Sequence, residues 1–343
     1  MKILLGMSGG LDSTYAALRL REQGHDVEGA TLLMHEYTET KEAEAAVAAV
    51  GIPLHIVDCR EDFEKVVVSS FIDNYKNART PNPCIVCNCE IKFKGLYDFA
   101  RANGFDAIAT GHYAKVVKIS DSEGQRYAIA CGTDPQKDQS YMLYRLTEEQ
   151  LAMLHLPLGD DKKCDVKNVA REKGLSVADR PESQEICFIP DGDYAAFIEN
   201  RIGVCREGDF LDESGKVLGR HKGIIRYTVG QRRGLGISAA TRIFVTDINV
   251  ENNTVTLSPT DKTYKTLTVS DMVFSGLPKP KESTEYRVTV KLRYKAPKVP
   301  ATVVIHPDGT ADVTLDEPAR AVTPGQSAVF YEGDTVLAGG FID

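Results

Sequence analysis

"KILLGMSGGLDSTY", residues 2–15, is the stretch on which the reading of the fold turns. Residues 2–7 form a short apolar run that reads as a buried strand. Small residues and an acid then interrupt it, and Leu11, Tyr15 and Leu18 share one helical face until Gly24. A strand, a Ser8-Gly9-Gly10-Leu11-Asp12-Ser13 loop and a helix make a phosphate cradle: glycines let backbone N–H groups approach an anion, and the helix N-terminus adds favourable charge. An isolated Ser-Gly-Gly is more often a plain turn capped by Ser8 or Ser13, but here the strand and the helix stand on the required sides. The loop lacks the lysine of the Gly-x-x-x-x-Gly-Lys-Ser/Thr pattern, so transfer of a terminal phosphoryl group is not expected.

Outward from this loop, strand and helix alternate. "HDVEGATLLM", "PLHIVDC" and "FDAIATG" read as further strands, with helices in "TKEAEAAVAAVG" and "EIKFKGLYDFARANG". That rhythm predicts an α/β domain with a parallel sheet. "KVVKISDSEGQRYAIACG" departs from it as a hairpin around Ser122, Glu123 and Gly124. After "DYAAFIENRIG" the texture becomes all-β, in "RIFVTDINVENNTVTLS", "YRVTVKLRY" and "ADVTLDE". The expected division is 1–202, a nucleotide-binding catalytic domain; 203–270, a small β domain; and 271–343, a C-terminal β-barrel, with "SGLPKPKEST" as the linker between the last two. At 343 residues, 42% hydrophobic and 26% charged, the chain has globular composition. It shows neither a run of eighteen apolar residues nor a signal-peptide pattern, and a cytoplasmic location without membrane contact is expected. The net charge of −8 argues only weakly against a nucleic-acid partner, because a local basic surface suffices.

Eight cysteines are too few for a disulfide scaffold of this length. Cys84, Cys87 and Cys89 sit in "RTPNPCIVCNCEIKFK", a Pro/Asn loop before a helix, where the helix N-terminus and Lys92 and Lys94 are expected to favour thiolates. A structural zinc site lacks its second pair; buried packing cysteines fit a Pro-Asn-Pro loop poorly; an iron–sulfur site stays open. Cys187 ends the apolar run of "ESQEICFIPDGDY" and, taken alone, reads as a core cysteine.

The glycine loop resembles that of the ATP-pyrophosphatase (PP-loop) superfamily, whose members hold the β,γ-phosphates as leaving pyrophosphate and move AMP onto a substrate oxygen. The ordered set "GMSGGLDS", "ARTPNPCIVCNCEIKF", "ATGHYAKV", "GTDPQKDQSYMLYRL", "ESQEICFI", "YTVGQRRGLGI" and "TPGQSAVFY…LAGGFI" resembles the bacterial tRNA-specific 2-thiouridylase family over nearly the whole chain. That resemblance implies thiolation of the wobble uridine of lysine, glutamate and glutamine tRNAs with ATP and Mg²⁺. Ser8, Gly9, Gly10, Asp12 and Ser13, with Gly6, Met7, Met34 and Gly111, would hold the nucleotide, Asp12 assisting Mg²⁺. Cys187 would carry a persulfide that attacks C2 of the adenylated base, and Cys87 would release the sulfur and leave a Cys87–Cys187 disulfide. At the position of Cys84 some relatives carry an acid/base aspartate, a role a thiol does not keep. Some members are argued to hold a [4Fe–4S] cluster instead, for which Cys84, Cys87 and Cys187 would be three ligands, with Cys89 a ligand or a bystander. The sulfur would come from a cysteine desulfurase or a relay protein. Amidotransferase and lysidine-type ligases share the loop but lack the paired cysteines.

His112 follows a strand at the sheet edge where such folds bind ligands, and with Tyr113 it is a candidate near the substrate base. Lys137, Asp138 and Gln139 precede Ser140 at an expected helix start, where a solvated capping cluster is the plainer reading and the resemblance implies tRNA contact. Basic segments in the β domains, with Lys222, Arg226, Arg232 and Arg233 in one and Arg287, Lys291, Arg293, Lys295 and Lys298 around Tyr294 in the other, are expected to track the RNA backbone.

Overall fold

The computed structural model describes residues 1–343 except 122–123, 176, 180–185, 238–240 and 321. The turn of the expected hairpin and the first four residues of "ESQEICFI" therefore lie outside the described residues. In the N-terminal region, β1 (Lys2–Gly6), β2 (Asp26–Leu33), β3 (Leu54–Asp58), β4 (Ala107–Ala109) and β7 (Leu154–His155) form a sheet ordered β3-β2-β1-β4-β7. Its strands are parallel, with Ile3 opposite Val27 on one side and Ala107 on the other. Ile3, Leu4 and Leu5 have no exposed surface, as a central strand covered on both faces requires. The helices α1 (Leu11–Glu22) and α2 (Lys41–Val50) lie in the expected segments. Helix α1 buries Ala16, Ala17 and Leu20 beside Leu11, whereas Tyr15 and Leu18 are only partly covered. Small alanines let the helix approach the sheet, so the buried face is rotated from the one its larger residues suggested.

The chain builds outward from β1 to β3, then returns to place β4 on the other side of β1. Loops after β1 and β4 therefore diverge from neighbouring strand ends, the crevice where open α/β sheets bind ligands. The helical run over 60–76 is not apparent from its valine-rich sequence, yet Phe63, Val67, Phe71 and Tyr75 recur every four residues and are all buried.

The hairpin of β5 (Ala114–Asp121) and β6 (Gly124–Cys131) leaves the parallel sheet. It joins an antiparallel sheet of β12 (Thr263–Phe274), β13 (Thr284–Lys291), β14 (Val299–Ile305), β15 (Ala311–Arg320), β16 (Ser327–Glu332) and β17 (Thr335–Ile342). These last six strands close into a barrel when β17 pairs with β12. A smaller sheet of β8 (Gly208–Leu211), β9 (Val217–His221), β10 (Phe244–Asn249) and β11 (Thr254–Ser258) stands between, with its own core of Phe210, Val245, Val255 and Leu257. Two expectations are corrected. Strand β12 runs through the expected boundary at 270 and belongs to the barrel, and "SGLPKPKEST" joins β12 to β13 inside the barrel rather than linking domains. Barrel and α/β region also share one apolar core, because Val329, Tyr331 and Val336 pack with Tyr141 and Tyr144.

Candidate active site

A cavity of about 840 Å³ opens at the crevice. Its wall includes Gly6, Met7, Ser8, Asp12 and Ser13 from the glycine loop, Met34 and His35 after β2, Gly111 and His112 after β4, Lys92, Gln139 and Cys187. Helix α1 begins at Gly10 without a side-chain cap, so its first-turn N–H groups remain available to an anion. Ser8 and Ser13 brace the loop: the Ser8 N–H donates to Ser13 Oγ at 3.3 Å and the Gly10 N–H to Ser8 Oγ at 3.3 Å. Gly111 passes so close to the loop that a Cβ there would lie 2.7 Å from the Asp12 carbonyl carbon. The two loops are thus fixed against each other by backbone contact.

Asp12 is held from behind. Lys163 Nζ donates to both carboxylate oxygens at 2.7 Å, and the Tyr113 hydroxyl donates to Oδ1 at 2.8 Å. Lys163 is separated from Asp12 by 151 positions, and nothing local in its sequence marks it. A carboxylate so engaged does not suit a resident Mg²⁺ ligand. Gln139 accepts the Tyr113 backbone N–H at 2.9 Å, which ties the "DPQKDQSY" segment to the same cluster. Asp138 is buried and accepts from the Gly132 and Ser140 N–H groups, both at 3.1 Å, and from Ser140 Oγ at 2.9 Å. It organises this turn rather than facing the cavity.

His112 shares a hydrogen bond with Thr110 Oγ1 at 2.8 Å, and burial, helped by Lys92, pushes it down to about 3. The unfolded imidazole takes up a proton near 6.5 while the folded one stays neutral. Stability present above that pH is therefore lost as the pH falls from 6.5 towards 3, by about 1.4 kcal/mol per pH unit from this group. Denaturant unfolding measured from pH 7 to pH 4 should show this slope in the native chain and a shallower one in His112→Asn.

The cysteines depart from expectation. Cys84 and Cys87 lie within the short helix Pro83–Cys87, capped by Asn82, rather than in a loop ahead of one. Cys87 is buried, its Sγ 3.8 Å from Met34 Sδ, and burial pushes its thiol up to about 12 against the opposing pull of Lys92. Desolvation outweighs the helix-terminus effect that sequence position suggested. Cys89 is also buried and donates to the Arg145 carbonyl at 3.2 Å, a structural role. Cys187, a core residue on its local sequence alone and the sulfur carrier that the resemblance implies, is exposed on the cavity wall. Lys94 turns away to pair with Asp98. Among the described residues no group of three or more His, Cys, Asp or Glu is arranged to hold a metal ion.

Part of the expected basic surface is engaged within the protein: Arg226 with Glu199, Arg287 with Asp316, Arg293 with Thr323, and Lys298 with Gly333 O at 2.9 Å. Tyr294 packs beside Tyr141 and beneath Lys291. Lys222, Arg232, Arg233 and Lys295 remain exposed, and Lys137 is partly so.

Family comparisons follow the same three-part architecture. Residues 1–191 match the tRNA methyl transferase HUP domain, 195–259 the tRNA methyl transferase PRC-barrel domain and 264–342 the aminomethyltransferase beta-barrel domain. Fold and site thus define a tRNA-modifying enzyme built on a HUP-type nucleotide fold. Curated relatives named tRNA-specific 2-thiouridylase MnmA include one from Acetivibrio thermocellus, 44% identical over 99% of each chain. Those of Clostridioides difficile, at 42% over 100% of this chain and 98% of the relative, and Geotalea uraniireducens, at 41% over 100% and 95%, are similar. The chain belongs to the tRNA-specific 2-thiouridylase MnmA family, tRNA-uridine sulfurtransferases. Among the described residues no helix is long and apolar enough to cross a membrane.

Proposed function

We propose that this protein thiolates C2 of the wobble uridine in tRNA by ATP-dependent activation followed by sulfur transfer. One observation carries the reading: the glycine loop at the α1 N-terminus and the thiol of Cys187 open onto the same cavity. Exchanging a carbonyl oxygen for sulfur needs both parts, a phosphate cradle to activate the oxygen and a thiol to carry the sulfur. The loop and α1 bind the triphosphate. The uracil O2 attacks the α-phosphorus, pyrophosphate leaves, and the C2–O bond becomes a bond to a good leaving group. The terminal sulfur of a Cys187 persulfide then forms a bond to C2 while AMP departs with the C2–O electron pair. Cys87 attacks Cys187 Sγ, the S–S bond breaks towards the base, and the protein is left as a disulfide that an external thiol reduces. The persulfide is supplied by a sulfur-donor protein.

Mg²⁺ bound to the nucleotide would neutralise phosphate charge; Asp12, pinned by Lys163 and Tyr113, shapes the loop rather than serving as a dedicated ligand. Gln139 and neutral His112 offer hydrogen-bonding groups to a base inserted from the open side. Pulling that base from its stack costs a few kcal/mol, about what backbone contacts must offset. Exposed Arg232 and Arg233 serve that purpose. Replacing both with glutamate should weaken tRNA binding at low salt by about tenfold or more and flatten the slope of log K against log salt, read by filter binding. An unchanged slope rejects their assignment. The whole reading is tested with purified protein, MgATP, an unmodified glutamate tRNA and a persulfide donor: a mercury-gel shift with AMP and pyrophosphate release supports it, and release without a shifted product rejects it.

A further inference from the structure

Thr80 stands four residues before Cys84 and seven before Cys87, and its three polar groups all bond outside the α/β region. Its N–H donates to the Pro324 carbonyl at 2.8 Å, and its carbonyl accepts from Gln326 Nε2 at 2.7 Å, both partners lying in the barrel turn ahead of β16. Its hydroxyl shares a hydrogen bond with Thr228 Oγ1 of the small β domain at 3.0 Å. The barrel turn is in turn fixed to β17, where the Gly325 N–H donates to the Ile342 carbonyl at 2.9 Å. A cavity of about 250 Å³, bordered by Pro81, Asn82 and Pro83 and by Ser270, Asp271 and Phe341 of the barrel, leaves the adjoining chain loosely packed, so the bonds at Thr80 hold it. From there to the thiols the chain is stiff. Pro81 and Pro83 fix their own φ and keep Thr80 and Asn82 out of helical backbone, Asn82 being extended at φ −106°, ψ 95°. Asn82 Oδ1 accepts the Cys84 N–H at 3.2 Å and starts the helix Pro83–Cys87, whose last residue rests on Met34 in the wall of the site. A displacement of Thr80 is therefore passed to the helix rather than absorbed before it.

We propose that Thr80 is a positioning residue for sulfur transfer, through which the barrel turn at Pro324–Gln326 and Thr228 of the small β domain set the placement of Cys87 at the cavity. The inference rests on the sulfur-transfer reading above. It gives the two β domains a second task besides holding RNA: they complete the part of the α/β region that carries the thiols. Attack by one sulfur on another demands close approach along one direction, and a misplacement of about 1 Å lowers such a rate by up to about a hundredfold. Activation of the base by the glycine loop, on the far side of the cavity, makes no such demand on the helix Pro83–Cys87.

Gly325 is the place to disturb the clamp. It has φ = +86°, and a Cβ there would lie 2.9 Å from Arg79 Cβ and 3.1 Å from the Thr80 nitrogen. Gly309, in another turn of the same barrel, has φ = +87°, and a Cβ there meets nothing within 4 Å. Alanine at either position bears the same backbone strain, but only Gly325→Ala pushes on Thr80. The full-length proteins are given MgATP, an unmodified glutamate tRNA and a protein-borne persulfide donor, and pyrophosphate release and thiolated tRNA are followed separately. At saturating tRNA and ATP, Gly325→Ala should slow thiolation by about tenfold or more, with pyrophosphate release and both KM values within about threefold of native. Gly309→Ala should match the native protein throughout. If Gly325→Ala fails to fold, Thr80→Val, which lacks only the tie to Thr228, is compared with Thr80→Ser, which keeps it. The valine form should thiolate about threefold or more slowly than the serine form, and equal rates overturn the proposal. It is also overturned by equal slowing of both steps, by a defect that saturating tRNA removes, or by the same loss in Gly309→Ala, since the turn would then serve folding or RNA binding. A native protein that releases pyrophosphate without thiolating tRNA rejects the sulfur-transfer reading and this inference with it. Native thiolation by both the wild-type and the Gly325→Ala protein rejects this inference alone.

Discussion

Cys187→Ser is expected to reduce thiolated tRNA by at least about a thousandfold, since a hydroxyl cannot carry sulfur and no partial version of the step survives its loss. The exposed position makes few demands on packing, so stability should change by no more than about 0.5 kcal/mol. On the proposed reading the glycine loop and α1 hold the nucleotide, so ATP affinity should persist. The contrast with Cys87→Ser is informative. Cys87 is buried against Met34, and a hydroxyl there loses sulfur packing and gains an unmet hydrogen-bonding group, a cost of about 1–3 kcal/mol. The second variant should therefore lose both thiolation and thermal stability, the first thiolation alone. Mercury-gel retardation of the product and thermal melts of each variant separate the cases. Full-rate thiolation by Cys187→Ser, with a protein-borne persulfide donor and no free sulfide, would remove Cys187 from the mechanism.

What sequence could reveal about this site depended on distance along the chain. The loop from Ser8 to Ser13 was legible because strand, glycines and helix follow each other within a few residues, and backbone conformation there is a local matter. The support of Asp12 by Lys163 and Tyr113 was not, because it exists only after β4 and the helix Lys163–Glu172 pack around α1. The ionisation of the thiols was hidden for a related reason. A helix terminus is readable from Pro83 and Asn82, but whether a thiol beside it is wet is decided by tertiary burial, and burial governs Cys87. Cys187 would be taken for a core residue on its apolar neighbours alone, yet Phe188 and Ile189 are buried while it is exposed. Within the basic segments, Arg287 and Arg226 are engaged by acids distant in sequence. A charge run reports where cations are, not whether they are free.

Gly9→Ala is expected to weaken ATP binding by about a hundredfold or more and to destabilise the fold by about 2–4 kcal/mol, from left-handed backbone strain and overpacking together. Gly9 has φ = +74°, a region an L side chain enters at a cost. Space is the larger obstacle: its Cβ would stand 2.5 Å from the Glu42 carbonyl carbon and 2.6 Å from the Ala43 nitrogen, which are backbone atoms of α2. No rotamer change relieves that contact, so either α2 or the loop must move, and movement of the loop withdraws N–H groups from the phosphates. Gly10 is the matched control. It has φ = −83°, and a Cβ there meets only Ser8 Oγ, at 3.4 Å. Gly10→Ala should accordingly hold its stability within about 0.5 kcal/mol, which separates the clash from any general effect of adding a methyl group to the loop. Equilibrium dialysis of ATP and thermal denaturation of both variants give the comparison. A Gly9→Ala protein with native melting temperature and native ATP affinity would mean that the loop does not lie against α2, and the phosphate cradle would have to be sought elsewhere in the crevice.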